Sequence, residues 1–289
     1  MGSATGGRDT GMIRVFPRQT KWTPTDELAF IGDPPLIRPP DQPVRISATF
    51  TWDKIEAERL YRSWSALYSD VKIGGPAYDN PGGEFEPGRF VKEGVTITSR
   101  GCPKQCPFCF VPRREGIIRE LPIKDGWIVQ DNNLLACSNE HVEKVFDMLR
   151  RQSKAICFNG GLDATFFTER HRGLLDSIRL REAWFSCDRP NDLPEMERLS
   201  RKLENISTNK KRCFVLIGYE DRSPEEAEKR CQQVYELGFL PFAQLYRNER
   251  PMKYSTEWRS VARKWSRPAA YRSKKMAKWQ SQKAGVVQE

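Results

Sequence analysis

Hydrophobic and polar positions first alternate over residues 44–50, where Val44, Ile46, Ala48 and Phe50 share one face and predict a strand. Over residues 53–69 the spacing changes, and Ala57, Leu60, Trp64 and Leu67 fall on one side of a helix. A short apolar run at 71–73, stopped by Gly74 and Gly75, completes a β-α-β unit. Two strands joined in this way should pair in parallel through a right-handed crossover. The preceding segment, 13–43, carries Pro-Pro at 34–35 and at 39–40. It predicts an extended wrap over the surface with little regular structure.

After a Gly- and Pro-rich loop over 78–88, strand and helix patterns alternate. Strands are predicted at 95–98, 127–129, 155–158, 183–186, 213–217 and 240–245, and helices at 140–151, 168–178 and 193–203. A further helix has the sharpest ends: Ser223 caps it, Pro224 lies in the first turn, Glu226 completes a capping box and Gly238 stops it. Such alternation predicts an α/β fold with a parallel sheet covered by helices. The expected architecture is a partial (β/α)6 barrel over 94–250. A β-α-β extension (44–93) and the extended segment (1–43) precede it, and a basic tail (251–289) follows. An open doubly wound sheet has the same periodicity. Residues 1–11 are small and polar and fall outside the expected fold, with Met12 a candidate natural start.

Composition narrows the class. A hydrophobic fraction of 38% with 11% aromatic residues suits a globular chain and excludes wholesale disorder. No apolar run approaches the roughly 20 residues that span a bilayer, and the start lacks a secretory signal pattern. A cytoplasmic protein with no membrane partner is expected. The net charge of +10 is concentrated late, with ten Lys and Arg after residue 250 opposed by Glu257 and Glu289. Trp258, Trp265, Tyr271 and Trp279 are interleaved with them. Cations neutralise phosphates and aromatic faces stack on bases, so the tail matches a nucleic-acid footprint. It equally matches a solvated helix whose Trp residues pack back on the body.

Of the eight cysteines, Cys137, Cys157, Cys187, Cys213 and Cys231 are scattered singly, mostly within apolar runs, and read as buried thiols. The other three share one loop, Thr98-Ser-Arg-Gly-Cys102-Pro-Lys-Gln-Cys106-Pro-Phe-Cys109. Three thiolates at C-x3-C-x2-C spacing can each ligate one iron of a [4Fe–4S] cluster and leave the fourth iron open. A structural zinc site would want a fourth ligand, and the two histidines, His141 and His171, lie far downstream on predicted helices. A thioredoxin-type pair would not explain the third cysteine.

This loop, placed after the first strand of the alternating region, makes the segment from Gly94 to about Arg247 resemble the radical S-adenosylmethionine (SAM) superfamily. Thr98-Ser-Arg-Gly-Cys-Pro and the following Val-Pro-Arg-Arg-Glu-Gly resemble its branch whose relatives often carry a cobalamin-binding domain. The compact form resembles stand-alone members of phage and prophage type. The resemblance implies that Cys102, Cys106 and Cys109 hold the cluster, with Phe108 beside it. A Gly-Gly-Glu-like element after a later strand is matched by Gly160 and Gly161, with the acid displaced to Asp163. A ribose-contacting element is matched by Ser186 and Asp188, and backbone support for adenine by the strand ending at Ile217. Substrate would lie at the carboxyl ends of the strands, where Arg100, Arg113, Tyr219, Gln244 and Tyr246 are candidate contacts. Cys187 is a candidate hydrogen donor to a product radical, with a buried structural thiol as the alternative.

Absences restrict the chemistry. No histidine precedes the loop, and residues 44–93 are too short for a full cobalamin domain; they resemble a remnant. No second group of closely spaced cysteines suggests an auxiliary cluster. The implied activity is reductive cleavage of SAM and hydrogen abstraction from substrate, fed by an external one-electron donor of flavodoxin or ferredoxin type. The basic tail points to a nucleobase group in DNA or RNA. The alternatives are a peptide or small-metabolite substrate, or a non-catalytic iron–sulfur or zinc protein that binds nucleic acid.

Overall fold

The computed structural model describes residues 11–79, 83–248 and 252–272. Its N-terminal part is a four-stranded parallel sheet: β1 (Ile13–Phe16), β2 (Ala29–Ile31), β3 (Val44–Ser47) and β4 (Val71–Gly74), in the order β2-β1-β3-β4. Helix α1 (Lys54–Ser65) lays Ala57, Leu60 and Trp64 against Ile13, Val15, Val44 and Ile46. Each large side chain buried there contributes on the order of 1.5–3 kcal/mol. The expected β3-α1-β4 unit is present and its strands pair in parallel.

The segment expected to be an irregular wrap instead supplies a central strand. Every residue of β1 is buried, including Arg14, whose guanidinium donates to the Arg89 carbonyl and pairs with Asp26. A buried arginine reads as a surface position, which is why alternation missed the strand. The four prolines at 34, 35, 39 and 40 all lie in the connection between β2 and β3.

The second sheet holds six parallel strands. In chain order the elements are β5 (Val95–Thr96), β6 (Ser99–Arg100), α2 (Val111–Arg114), β7 (Arg119–Glu120), β8 (Ile128–Val129), α3 (Asn139–Arg150) and β9 (Ile156–Phe158). They continue with α4 (Glu169–Asp176), β10 (Leu180–Ser186), α5 (Leu193–Lys202), β11 (Lys211–Ile217), α6 (Pro224–Glu236) and β12 (Leu240–Leu245). The strand order is β12-β11-β10-β9-β8-β5, so each strand lies beside its predecessor. A doubly wound sheet reverses its order at a switch point, and this one does not. The predicted run 95–98 breaks after Thr96, and β6 leaves to pair with β7 in a separate antiparallel ribbon.

Alternation along β11 separates the two faces of this sheet. Cys213, Val215 and Ile217 point into the helical layer, where Ala227, Cys231 and Val234 of α6 meet them. The opposite face carries half-buried aromatic rings, with Trp184 stacked on Phe214 at 4.4 Å and Phe242 edge-on to both. Helix α6 starts as predicted: Ser223 Oγ accepts from the Glu226 amide at 3.3 Å. The return bond is displaced by one residue, since the Glu226 carboxylate accepts from the Arg222 amide at 2.9 Å.

The C-terminal segment packs on the body through α7 (Thr256–Trp265) and α8 (Pro268–Tyr271). Trp265 and Tyr271 are fully buried and stacked at 5.0 Å, and Trp258 packs against the same core. Trp265 Nε1 donates to Glu228, and the Tyr271 hydroxyl to the Pro241 carbonyl. Of the two readings of the tail, these rings follow the one in which they pack back on the body, Trp265 and Tyr271 within the core and Trp258 half-buried against it. Trp279 and the basic residues beyond Arg272 lie outside the described residues. Among the described residues, no helix is long and apolar enough to cross a membrane.

Candidate cluster site

The three-cysteine loop leaves the carboxyl end of β5 and is anchored before it begins. Asp131, buried just after β8, accepts from the Thr98 amide at 2.6 Å, from the Thr98 hydroxyl, and from the Ser99 hydroxyl at 2.9 Å. Asn132 accepts from the Gly101 amide at 3.0 Å. Gly101 itself has φ +86°, and a Cβ there would stand 2.0 Å from the Ile117 carbonyl oxygen, so only glycine fits. Beyond it the Cys102 amide donates to Gly116 and the Cys109 amide to Cys106. Cys102, Cys106 and Cys109 are all half-buried free thiols.

Burial pushes the Cys106 thiol up, with Lys104 and Arg189 opposing and Cys102 and Asp188 adding to the rise. Burial likewise pushes Cys109 up; the Val111 backbone opposes, and Cys106 and Cys102 add to it. Cys106 and Cys109 thus both lie in the field of the Cys102 sulfur. Among the described residues, no three His, Cys, Asp or Glu side chains enclose a single metal ion. The loop carries three thiols, those of Cys102, Cys106 and Cys109.

Two braces tie this loop to the turn after β9. Asn133 Nδ2 lies 3.4 Å from Cys102 Sγ and 3.1 Å from Asp163 Oδ2. Lys104 Nζ pairs with Asp163 at 3.1 Å. Asp163 also accepts from the Thr165 amide and hydroxyl at 3.0 and 2.7 Å. Through these contacts Asp163 braces the turn to the cysteine loop. The turn places Gly160 so close to Asp131 that a Cβ would come 2.0 Å from its carbonyl oxygen. Gly161, with φ +104°, has nothing within 4 Å of its Cβ position and borders open space.

The remaining predicted residues divide into two groups. Phe108, Tyr219 and Tyr246 meet edge-on, Tyr219 lying 5.3 Å from Phe108 and 4.8 Å from Tyr246. A cavity of ≈ 570 Å³ beside them is lined by Cys106, Phe108, Cys109, Arg113 and Tyr246. Ser186, exposed at the end of β10, donates to Asp188, whose carboxyl is pushed up to about 6 by burial and further raised by Asp192. Cys187 and Ile217 point the other way. Cys187 has no exposed surface and packs in the helical core, where burial pushes its thiol up to about 12. Neighbouring residues of a strand face opposite sides, so Ser186 faces out and Cys187 in, the position that the buried-thiol alternative expects. The Ile217 side chain is also in the core, and its carbonyl accepts from the Tyr246 amide at 2.9 Å.

Gln244 is exposed on β12, and Arg100 lines a different cavity next to the N-terminal sheet. Sequence reasoning missed Lys104, Asp131, Asn132, Asn133 and Arg189. The run of four polar residues, 130–133, directly after β8 was the available signal, since the end of a strand has loose backbone groups to satisfy. No family model and no curated protein matches this chain.

Proposed function

We propose that the chain is a radical SAM enzyme whose six sequential parallel strands form a partial barrel. The observation that carries this reading is the three-cysteine loop at the carboxyl end of β5, braced by Asn133 and Lys104 to the Gly160–Gly161 turn after β9. If bound, a [4Fe–4S] cluster and SAM would be held at Cys102, Cys106 and Cys109 and would supply one-electron reductive cleavage of SAM, with methionine as the leaving group and an external low-potential protein as the electron source, for hydrogen abstraction from a substrate carbon.

The chain's own residues bind and orient. Cys102, Cys106 and Cys109 supply the thiolates, and Asn133 donates to one of them. The open backbone at Gly161 receives the amino end of SAM. Ser186 and the Asp188 carboxyl offer a hydroxyl and acceptor oxygens to ribose. Phe108 and Tyr246 line the cavity with Tyr219 packed edge-on against both, and Arg113 lines the same cavity as a cation for an anionic substrate group.

For the substrate, a nucleobase group in DNA or RNA remains our leading reading. Lys253, Arg259, Arg263, Arg267 and Arg272 are exposed and can meet phosphates. The inward packing of Trp258, Trp265 and Tyr271 favours the second reading, a peptide or small metabolite, because it removes the stacking half of the footprint.

Anaerobic reconstitution with iron and sulfide, followed by dithionite and SAM, tests the class. Mass spectrometry should detect 5′-deoxyadenosine, and a Cys102, Cys106, Cys109 triple-alanine variant should produce none. No product from a chain that carries the cluster, with or without nucleic acid, would leave the non-catalytic reading in its place. Salt-dependent binding of DNA or RNA by the full chain, weakened by Arg259→Glu with Arg263→Glu, would separate the two substrate readings.

A further inference from the structure

A second cavity lies where the N-terminal sheet reverses its order. β2, which follows β1 in the chain, pairs on one side of β1, and β3 pairs on the other. At such a reversal the loops leaving the two central strands part to opposite sides and open a crevice at the strands' carboxyl ends. A cavity of ≈ 220 Å³ lies there, lined by Phe16 and Arg18 at the end of β1 and by Ser47, Thr49 and Phe50 at the end of β3. Ile97 and Gln130, just beyond β5 and β8, belong to the same lining. The carboxyl ends of both sheets therefore face one space.

Among the described residues the charges around this space are compensated, and Arg100 itself lies in the field of the Glu115 and Asp131 carboxylates. Asp53 pairs with Arg18, Glu86 with Lys124, and Glu115 faces Arg119 at 3.7 Å. Asp131 lies behind the lead-in with its oxygens taken by Thr98 and Ser99. Arg100, which lines the cavity, has a buried Nε without a hydrogen-bond partner. Glu115 Oε2, in the same lining, is a buried acceptor without a hydrogen bond. A buried donor and a buried acceptor left unmade are each destabilising, and a ligand that meets both relieves both. The rest of the wall includes aromatic rings, Trp22, Phe50 and Phe90 among them.

We propose that this cavity binds a small planar molecule bearing one anionic group, carboxylate or phosphate, and an N–H donor. The anion meets Arg100, the N–H meets Glu115, and the ring lies among the aromatic side chains. The site stands apart from the cluster reading, since it needs neither iron nor SAM and shares no residue with the cavity beside the cysteines.

Titration calorimetry of the full chain tests this with three probes. Orotate carries a planar ring, N–H groups and a carboxylate; 4-aminophenyl phosphate offers phosphate instead; uracil keeps the ring of orotate without the anion. At least one anion should bind, and uracil should bind roughly tenfold more weakly than orotate or not at all, as loss of a charge-assisted contact requires. Arg100→Met should weaken the bound anion by about tenfold or more. Thr49 is exposed at the rim, so Thr49→Trp should fill the mouth and abolish binding without lowering the melting temperature. The relative affinity of the two anions identifies the preferred group. The proposal is overturned if neither anion binds at about 5 mM, a limit weaker than ordinary specific recognition. Equal binding of orotate and uracil, or binding indifferent to Thr49→Trp, also overturns it, and both readouts survive should Arg100→Met fail to fold.

Discussion

Asn133 donates to the Cys102 sulfur at 3.4 Å from a position that is almost fully buried. The same amide nitrogen reaches Asp163 at 3.1 Å, so one side chain holds the first cysteine and the turn after β9 in register. Hydrogen bonds to thiolates in a cluster site raise its reduction potential and steady its ligands. Asn133→Leu should therefore lower the midpoint potential of the reconstituted protein in a spectroelectrochemical titration. It should also cut iron retention by roughly tenfold, as loss of a bond to a charged group implies. Unchanged potential and iron content would show that the contact is incidental.

Alkylation should separate the cysteines by environment. Cys187, with its thiol pushed up to about 12, and the fully buried Cys157, Cys213 and Cys231 should resist iodoacetamide at pH 8 in the folded chain. Cys102, Cys106 and Cys109 are partly exposed and should be modified, and iron and sulfide loaded beforehand should protect all three together. Peptide mapping reads both patterns. Labelling of Cys187 at the rate of the loop cysteines would contradict the placement described above.

Asp188 makes stability depend on pH in a stated direction. Its carboxyl rises from 3.8 to about 6 on folding, chiefly through burial. Between those values the folded chain holds a proton that the unfolded chain has released, so this group's contribution falls as pH rises through the window and stays unfavourable above it. Asp188→Asn should raise the melting temperature of the iron-free protein at pH 7, and the gain should vanish below about pH 4. A gain that persists in acid would assign the effect to packing instead.

Gly160 lies too close to Asp131 for any side chain, with a Cβ 2.0 Å from the carbonyl oxygen. Gly160→Ala should force the turn away from the cysteine loop. Loss of cluster assembly with far-ultraviolet circular dichroism retained is the expected result. An alanine variant that assembles the cluster normally would show that the two turns do not depend on each other.

Trp265 has about 1% of its surface exposed and stacks on Tyr271. Trp265→Ala should cost about 3–5 kcal/mol, the usual range for a buried large aromatic, measured by urea unfolding. Truncation before α7 would remove Val261, Trp265 and Tyr271 from the core. Loss of nucleic-acid binding in such a truncation would report unfolding, and charge substitutions at exposed Arg259 and Arg263 are the cleaner probe.

Patterns within about ten residues were legible without coordinates. The order of strands and helices from 127 to 245, the cap of α6 at Ser223, and the three-cysteine loop all rest on local spacing and local hydrogen bonds. The sequence by itself determined the grouping of Cys102, Cys106 and Cys109 for the same reason, because three cysteines on one short loop stay near one another in any fold. What the tertiary structure alone decided involves contacts between distant positions. Arg14 and Arg45 read as surface residues until Asp26, and then Asp70 and Glu84, are brought to them by folding. Whether Trp265 meets solvent or core depends on α6 and β12. The inward turn of Cys187 depends on the face its strand presents to the helices, and the reversal of strand order at β1 depends on pairing across the sheet. Local spacing carries no record of either, because burial and pairing are properties of neighbours that only the closed chain supplies.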